Sequence, residues 1–330
     1  MKANLVQRVY VPYGVPPRAP TSALLGAFCA AACLLGACDR PASRHTEASA
    51  VDKRHIVLHL PRMEAPLTGY PLVIALHGGF GSGAQLERAV GLDAIADREG
   101  FAVVYPDGRA HHWNDGRGPD AGGEDVDDVA YVRSLIDDLA AKHPIDTRRI
   151  YAVGLSNGAM MAYRLACELS DTLAAVATVA GGIATNVAPR CHPSRAISVL
   201  AIHGTADPIM PFDGGDVNGG RAGRPRQPRG KVLGARASIE IFSAAARCTP
   251  TPSRTARTKL VPSDPTSVTE VVYADCAPGT GIELVEIDGG GHTWPGATSW
   301  LPASFVGPTS QQLQTSELIW QFLARHVTTR

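Results

Sequence analysis

The chain has 330 residues, of which 45% are apolar and 19% charged, with 31 basic and 31 acidic side chains. A disordered polypeptide carries fewer apolar residues and more net charge, so a packed core is expected. Neutrality and a pI near 7.2 exclude a nucleic-acid binder that depends on a broad basic face.

In chain order, Lys2, Arg8 and Arg18 precede an apolar run over residues 22–35 that is short for a membrane span and ends in small residues. That pattern predicts a secretory signal peptide over residues 1–37. Leu35-Gly36-Ala37-Cys38 resembles a bacterial lipobox, which implies that Cys38 is lipidated and becomes the first mature residue. The alternative is an ordinary cleavable signal and an extracellular product. Residues 38–53 then read as a lipidated cysteine and a flexible tether, polar and without periodicity. Without the first 37 residues the chain holds 28 basic and 31 acidic groups, a formal charge of −3.

From residue 54 to residue 330 short apolar runs alternate with helical patterns, which predicts one catalytic domain. Residues 55–61 (HIVLHLP) and 71–76 (PLVIAL) read as strands, 86–99 as one helix and 101–105 (FAVVY) as a strand. Val129, Val132, Leu135, Ile136 and Leu139 recur at helical spacing within residues 127–143, and Asp127 or Asp128 caps the start. Strand 150–154, helix 158–169 and strand 174–180 form a βαβ unit, followed by strands 197–203 and 282–287 and a closing helix over 316–327. Apolar runs without alternation, separated by helices, predict an α/β fold: a mostly parallel central sheet with helices on both faces. Residues 214–231, rich in Gly, Arg and Pro, read as a solvated loop, with a lid or an attraction site for acidic substrates as the functional alternative.

The chemistry centres on Gly154-Leu155-Ser156-Asn157-Gly158, a G-x-S-x-G pentapeptide. The motif alone recurs by chance, but here it lies between an apolar strand and a helix, where a nucleophile elbow must be. A serine nucleophile needs a base, and the base needs an orienting carboxylate, in the order Ser, acid, His. Asp207 follows strand 197–203, and His292 follows strand 282–287 behind three glycines. Asp207 is therefore the expected orienter and His292 the base, with Asp213 the alternative acid. The oxyanion hole is assigned to the N–H groups of Asn157 and Gly79, with Phe80 next. His77 and His203 read as packed structural residues. Trp113 and Trp294 are candidates for stacking a substrate ring. The acidic group Glu124, Asp125, Asp127 and Asp128 reads as helix capping rather than a metal site.

Cys167, Cys191, Cys248 and Cys276 remain in an exported chain, and four cysteines allow three connectivities. No spacing suggests zinc.

His77-Gly78-Gly79, Asp127-Asp128-Val129, GLSNGAMM (154–161), HGTAD (203–207) and GGHTWPG (290–296) together resemble the secreted polyhydroxybutyrate depolymerase/feruloyl esterase group of α/β-hydrolases. The resemblance implies an α/β-hydrolase fold, esterase chemistry with Ser156, Asp207 and His292 as triad, and the neighbour disulfides Cys167–Cys191 and Cys248–Cys276. The expected activity is hydrolysis of carboxylic esters through an acyl-enzyme, without cofactor or metal. The substrates are feruloyl or acetyl esters of polysaccharides, or hydroxyalkanoate oligomers. The expected partners are that substrate and a membrane reached only through the lipid anchor, with no nucleic acid. A serine peptidase of the same fold and a non-catalytic envelope binding lipoprotein are the alternatives.

Overall fold

A computed structural model describes the backbone of residues 43–48 and the chain over 54–118, 125–219, 227–299 and 301–328. The signal over 1–37, the lipidation site Cys38, most of the tether, Glu124 and residues 220–226 lie outside the described residues.

The elements in order are β1 (Ser43–Ala48), β2 (His55–Leu60), β3 (Tyr70–Leu76), α1 (Gly83–Val90), α2 (Leu92–Glu99), β4 (Ala102–Pro106), α3 (Asp128–Lys142) and β5 (Ile145–Leu155). Then come α4 (Asn157–Glu168), β6 (Ala175–Val179), β7 (Ser198–Gly204), β8 (Gly214–Gly219), β9 (Gln227–Leu233) and α5 (Ala235–Ala245). β10 (Ser253–Ala256), β11 (Ser267–Tyr273), β12 (Ile282–Asp288), α6 (Ala303–Val306) and α7 (Thr315–Leu323) close the chain.

The main sheet has ten strands in the order β1-β2-β4-β3-β5-β6-β7-β12-β11-β10. From β4 through β12 every neighbour pair is parallel, and the outer pairs on both sides are antiparallel. Both faces are buried, as the unbroken apolar runs require. Leu72, Ile74 and Leu76 pack with residues of α3, α4 and α5, whereas Val73 and Ala75 pack with residues of α1, α2 and α7. Each fully buried aliphatic side chain contributes about 2 kcal/mol. This is the α/β-hydrolase arrangement expected from the sequence.

Three expectations are corrected. The segment read as tether forms β1, antiparallel to β2. An edge strand needs only backbone hydrogen bonds from an open sheet edge, so it leaves no apolar periodicity. The single helix over 86–99 is two, because Gly91 takes φ 66 and turns the chain between α1 and α2. The Gly/Arg/Pro stretch is a β8–β9 hairpin with register Gly214↔Leu233, rather than a loop throughout.

Candidate active site

β5 ends at Leu155 and α4 begins at Asn157, so Ser156 stands alone in the turn with φ 57 and ψ −117. A non-glycine residue there is strained by about 1–3 kcal/mol. The strain is held by Ser156 N–H donating to Val179 O at 2.9 Å and Met160 N–H donating to Ser156 O at 3.0 Å. The flanking glycines are sterically required. A Cβ on Gly154 would lie 2.1 Å from Gly158 O, and one on Gly158 would lie 2.1 Å from Leu76 O.

β5, β7 and β12 run parallel within one sheet, so their carboxyl ends meet on one edge. That geometry brings Ser156, Asp207 and His292 together. His292 Nε2 lies 2.8 Å from Ser156 Oγ, and its Nδ1 lies 2.7 Å from Asp207 Oδ2. The other carboxylate oxygen of Asp207 accepts the N–H groups of Ile209 and Met210, each at 2.8 Å. Burial opposes the Asp207 charge. Attraction to His292 and hydrogen bonds from His203 and His292 outweigh it and hold the carboxyl well below the usual range. Asp213, the alternative acid, is exposed and outside this chain of bonds.

Ser156 and His292 open onto a cavity of about 280 Å³. Its walls include Gly79, Phe80, His112, Trp294 and, from the β8–β9 hairpin, Val217 and Arg229. Phe80 N–H donates to His111 O at 2.9 Å, which removes it as an oxyanion donor. Among the described residues the N–H groups of Gly79 and Asn157 have no hydrogen-bond acceptor, and both residues line the cavity beside Ser156.

Of the two tryptophans, Trp294 edges the cavity although it is only 5% exposed, and its indole N–H donates to Ser316 Oγ at 3.1 Å. Trp113 is corrected. It is 1% exposed and absent from the cavity wall, so no substrate ring reaches it. Its indole N–H donates to His77 O at 3.0 Å and its backbone N–H to Asn157 Oδ1 at 2.8 Å, which makes it a support for the elbow.

His77 and His203 are packed residues, as expected. Gly108 N–H donates to His77 Nε2 at 2.8 Å, so Nδ1 carries the proton and donates to Gly78 O at 2.7 Å. Burial pushes the His77 pKa down to about 4, so the ring is neutral at pH 7. His203 Nε2–H donates to Met210 O at 2.9 Å.

The acidic group divides. Asp127 caps α3 by accepting Ala130 N–H at 3.0 Å. Asp128, read as a capping residue, is instead fully buried against Arg54 at 2.5 Å, and its second oxygen accepts Asn114 N–H at 2.6 Å. Asp125 accepts the Asn114 side chain at 3.2 Å.

Sequence reasoning missed Asp115 and Arg117. Asp115 Oδ2 accepts the Asn157 side-chain amide at 2.6 Å and Arg117 Nη2 at 2.7 Å. Arg117 Nη1 in turn donates to Arg229 O at 2.8 Å, on the hairpin. The only signal was an Asp-Gly-Arg triplet in a polar loop. The disulfides are Cys167–Cys191 and Cys248–Cys276, the pairing that the resemblance implied.

A family model described as Esterase PHB depolymerase matches residues 55–234, more than half of the chain. The chain belongs to the PHB depolymerase esterase family. This family member is 36% identical over 259 residues to the Nocardia uniformis subsp. tsuyamanensis protein named "Putative esterase NocK", covering 77% of this chain and 74% of that protein. It is 29% identical over 245 residues to feruloyl esterase B of Piromyces equi, covering 72% of this chain but 42% of that longer enzyme. The solved acetyl xylan esterase from Aspergillus awamori superposes with a TM-score of 0.58 at 13% identity, over 86% of this chain and 99% of that one, which shows the α/β-hydrolase fold. The PHB depolymerase-family chain is thus an esterase.

Proposed function

We propose that Ser156, His292 and Asp207 are the nucleophile, general base and orienting acid of a carboxylic ester hydrolase. The observation that carries this reading is the continuous pair of hydrogen bonds, 2.8 Å from Ser156 Oγ to His292 Nε2 and 2.7 Å from His292 Nδ1 to Asp207 Oδ2. His292 takes the hydroxyl proton as Ser156 Oγ attacks the ester carbonyl, and the ionised Asp207 stabilises the imidazolium. The N–H groups of Gly79 and Asn157 receive the oxyanion, each such donor being worth about 10²–10³ in rate. His292 then protonates the leaving alkoxide, and an acyl-enzyme remains. Water, deprotonated by His292, attacks that ester and releases the acid.

The substrates proposed are feruloyl or acetyl esters of polysaccharides, or hydroxyalkanoate oligomers, with Trp294 offering an apolar edge in the cavity. The names of the Piromyces and Aspergillus enzymes support the first class, and the family description supports the second. Two disulfides suit an oxidising compartment. We accordingly read residues 1–37 as an export signal, Cys38 as a lipid anchor to the bacterial envelope and residues 54–330 as the catalytic domain.

The decisive experiment is Ser156→Ala, assayed on p-nitrophenyl acetate, methyl ferulate, acetylated xylan and 3-hydroxybutyrate oligomers. Turnover is expected to fall by roughly 10⁶ on every ester the wild type accepts. Near-wild-type turnover refutes the triad.

A further inference from the structure

His112 has no task in triad chemistry, yet its ring lines the cavity beside the oxyanion loop. A Cβ on Gly79 would lie 3.1 Å from His112 Nε2, so this nitrogen stands against the backbone assigned to hold the oxyanion. His112 Nδ1 lies 3.2 Å from Ala110 O, which only accepts, so Nδ1 carries the proton. Nε2 is left with a bare lone pair. Among the described residues nothing donates to it, and the ring that carries it lines the cavity. Burial lowers the pKa of the ring, and Arg229 and Arg117 lower it further against opposing contributions from Ala110 O and Asp115. The imidazole is therefore neutral at pH 7 and Nε2 stays an acceptor.

The backbone around this ring is strained. Ala110 and His111 take φ 46 and 63, and Phe80, across from them, takes φ 65. Non-glycine residues in this region cost about 1–3 kcal/mol each and persist only where neighbours over-determine them. Here Phe80 N–H is bound to His111 O at 2.9 Å, and the Phe80 ring meets the His112 ring edge to face at 4.4 Å. The next residue, Trp113, is tied to Asn157. The ring is thus gripped from the oxyanion loop and from the elbow.

Residues beside it on the wall bring donors: the N–H groups of Gly79 and Asn157, and the guanidinium groups of Arg117 and Arg229. A fixed acceptor among donors selects a ligand that carries a donor of its own. We propose that His112 Nε2 accepts a hydrogen bond from a hydroxyl on the substrate, placed within roughly 6 Å (two hydrogen-bond lengths) of the carbonyl oxygen, and so selects hydroxylated esters. This rests on the triad reading above. The hydroxyl comes from the acyl chain or from the alcohol, and both present the same O–H donor.

The test uses two matched pairs with the full protein. Ethyl 3-hydroxybutyrate against ethyl butyrate probes the acyl side, and glycerol 1-monobutyrate against propyl butyrate probes the alcohol side. Wild type is expected to prefer the hydroxylated member of at least one pair by about 5-fold or more in kcat/KM, the worth of one hydrogen bond. His112→Phe, which keeps a ring but has no acceptor, is expected to bring that ratio close to 1. His112→Gln, which restores an acceptor oxygen, is expected to recover part of it. No preference in either wild-type pair overturns the proposal, and so does a ratio that survives His112→Phe, including one where both members slow equally. The wild-type comparison stands even where a variant does not fold. An inactive Ser156→Ala together with no preference in either wild-type pair sinks the His112 role alone; an active Ser156→Ala sinks the triad as well.

Discussion

Asp115 accepts a 2.6 Å hydrogen bond from the side-chain amide of Asn157, and the two residues are only 1% and 3% exposed. Asn157 is the residue whose N–H is assigned to the oxyanion hole, so its orientation matters to rate. The same carboxylate binds Arg117 through Nε and Nη2, and Arg117 reaches the hairpin carbonyl of Arg229. Asp115→Ala leaves a buried guanidinium unpaired and lets Asn157 turn. Removing one partner of a buried pair costs about 3–5 kcal/mol. We expect kcat to fall about 10- to 100-fold with KM little changed, alongside a lower unfolding midpoint. Asp115→Asn, which keeps an acceptor for Asn157, is expected to recover kcat more than it recovers stability. Parallel loss of both quantities in the two variants would assign Asp115 to folding alone.

The buried His77 predicts a pH dependence of stability. Its pKa is about 4 in the folded chain against 6.5 for an unperturbed histidine, the main cause being burial. Between those values the unfolded chain binds the proton and the folded chain does not, so stability falls as pH drops from 6.5 toward 4. The 2.5-unit gap corresponds to about 3 kcal/mol, fully lost below pH 4. His112 and His326, also lowered mainly by burial, act in the same direction. His77→Gln removes the titrating group, and urea melts between pH 7.5 and 4.5 should show a shallower decline than wild type. Parallel curves for the two proteins would remove His77 from this account.

Much of the proposed triad's geometry was legible because each of its residues follows a continuous apolar strand, and strands buried on both faces leave the strongest mark in a sequence. Ser156, Asp207 and His292 are far apart in the chain, yet parallel β5, β7 and β12 deliver them to one sheet edge. Elements held by backbone alone left no such mark. β1 borrows its hydrogen bonds from the edge of β2, and the β8–β9 hairpin is built from Gly, Arg and Pro. Trp113 was misread because its loop is polar, although the loop folds inward over the elbow. Asp115 was invisible for a related reason: its partner Asn157 is 42 residues away, and nothing local marks the pairing.

The disulfides should differ in what they protect. Cys167 lies on α4, the helix that begins at the elbow, and Cys191 follows the strand β6 region. Closing loops of 24 and 28 residues, each bond is worth roughly 3 kcal/mol. Replacing Cys167 and Cys191 by serine is expected to lower stability and to reduce ester turnover at temperatures where the wild type is unaffected. Replacing Cys248 and Cys276, at the far side of α5, is expected to lower stability by a similar amount with turnover at 20 °C unchanged. Thermal melts with initial rates at two temperatures check both.

Gly158 and Gly91 separate steric clash from backbone strain. A Cβ at Gly158 would lie 2.1 Å from Leu76 O and 2.6 Å from His77 O, both backbone atoms at the root of the proposed oxyanion loop. Alanine there must push α4 away from β3, which moves Asn157 relative to Gly79 and opens the hole between them. We expect Gly158→Ala to lose at least 100-fold in kcat, the scale of one misplaced oxyanion donor. At Gly91 nothing lies within 4 Å, but φ is +66, so alanine meets only torsional strain. Gly91→Ala is expected to cost about 1 kcal/mol in stability with kcat little changed, since α1 and α2 meet there on the face opposite α4. Equal activity losses in the two variants would mean that the elbow answers to global stability rather than to the fit of α4 against Leu76 and His77.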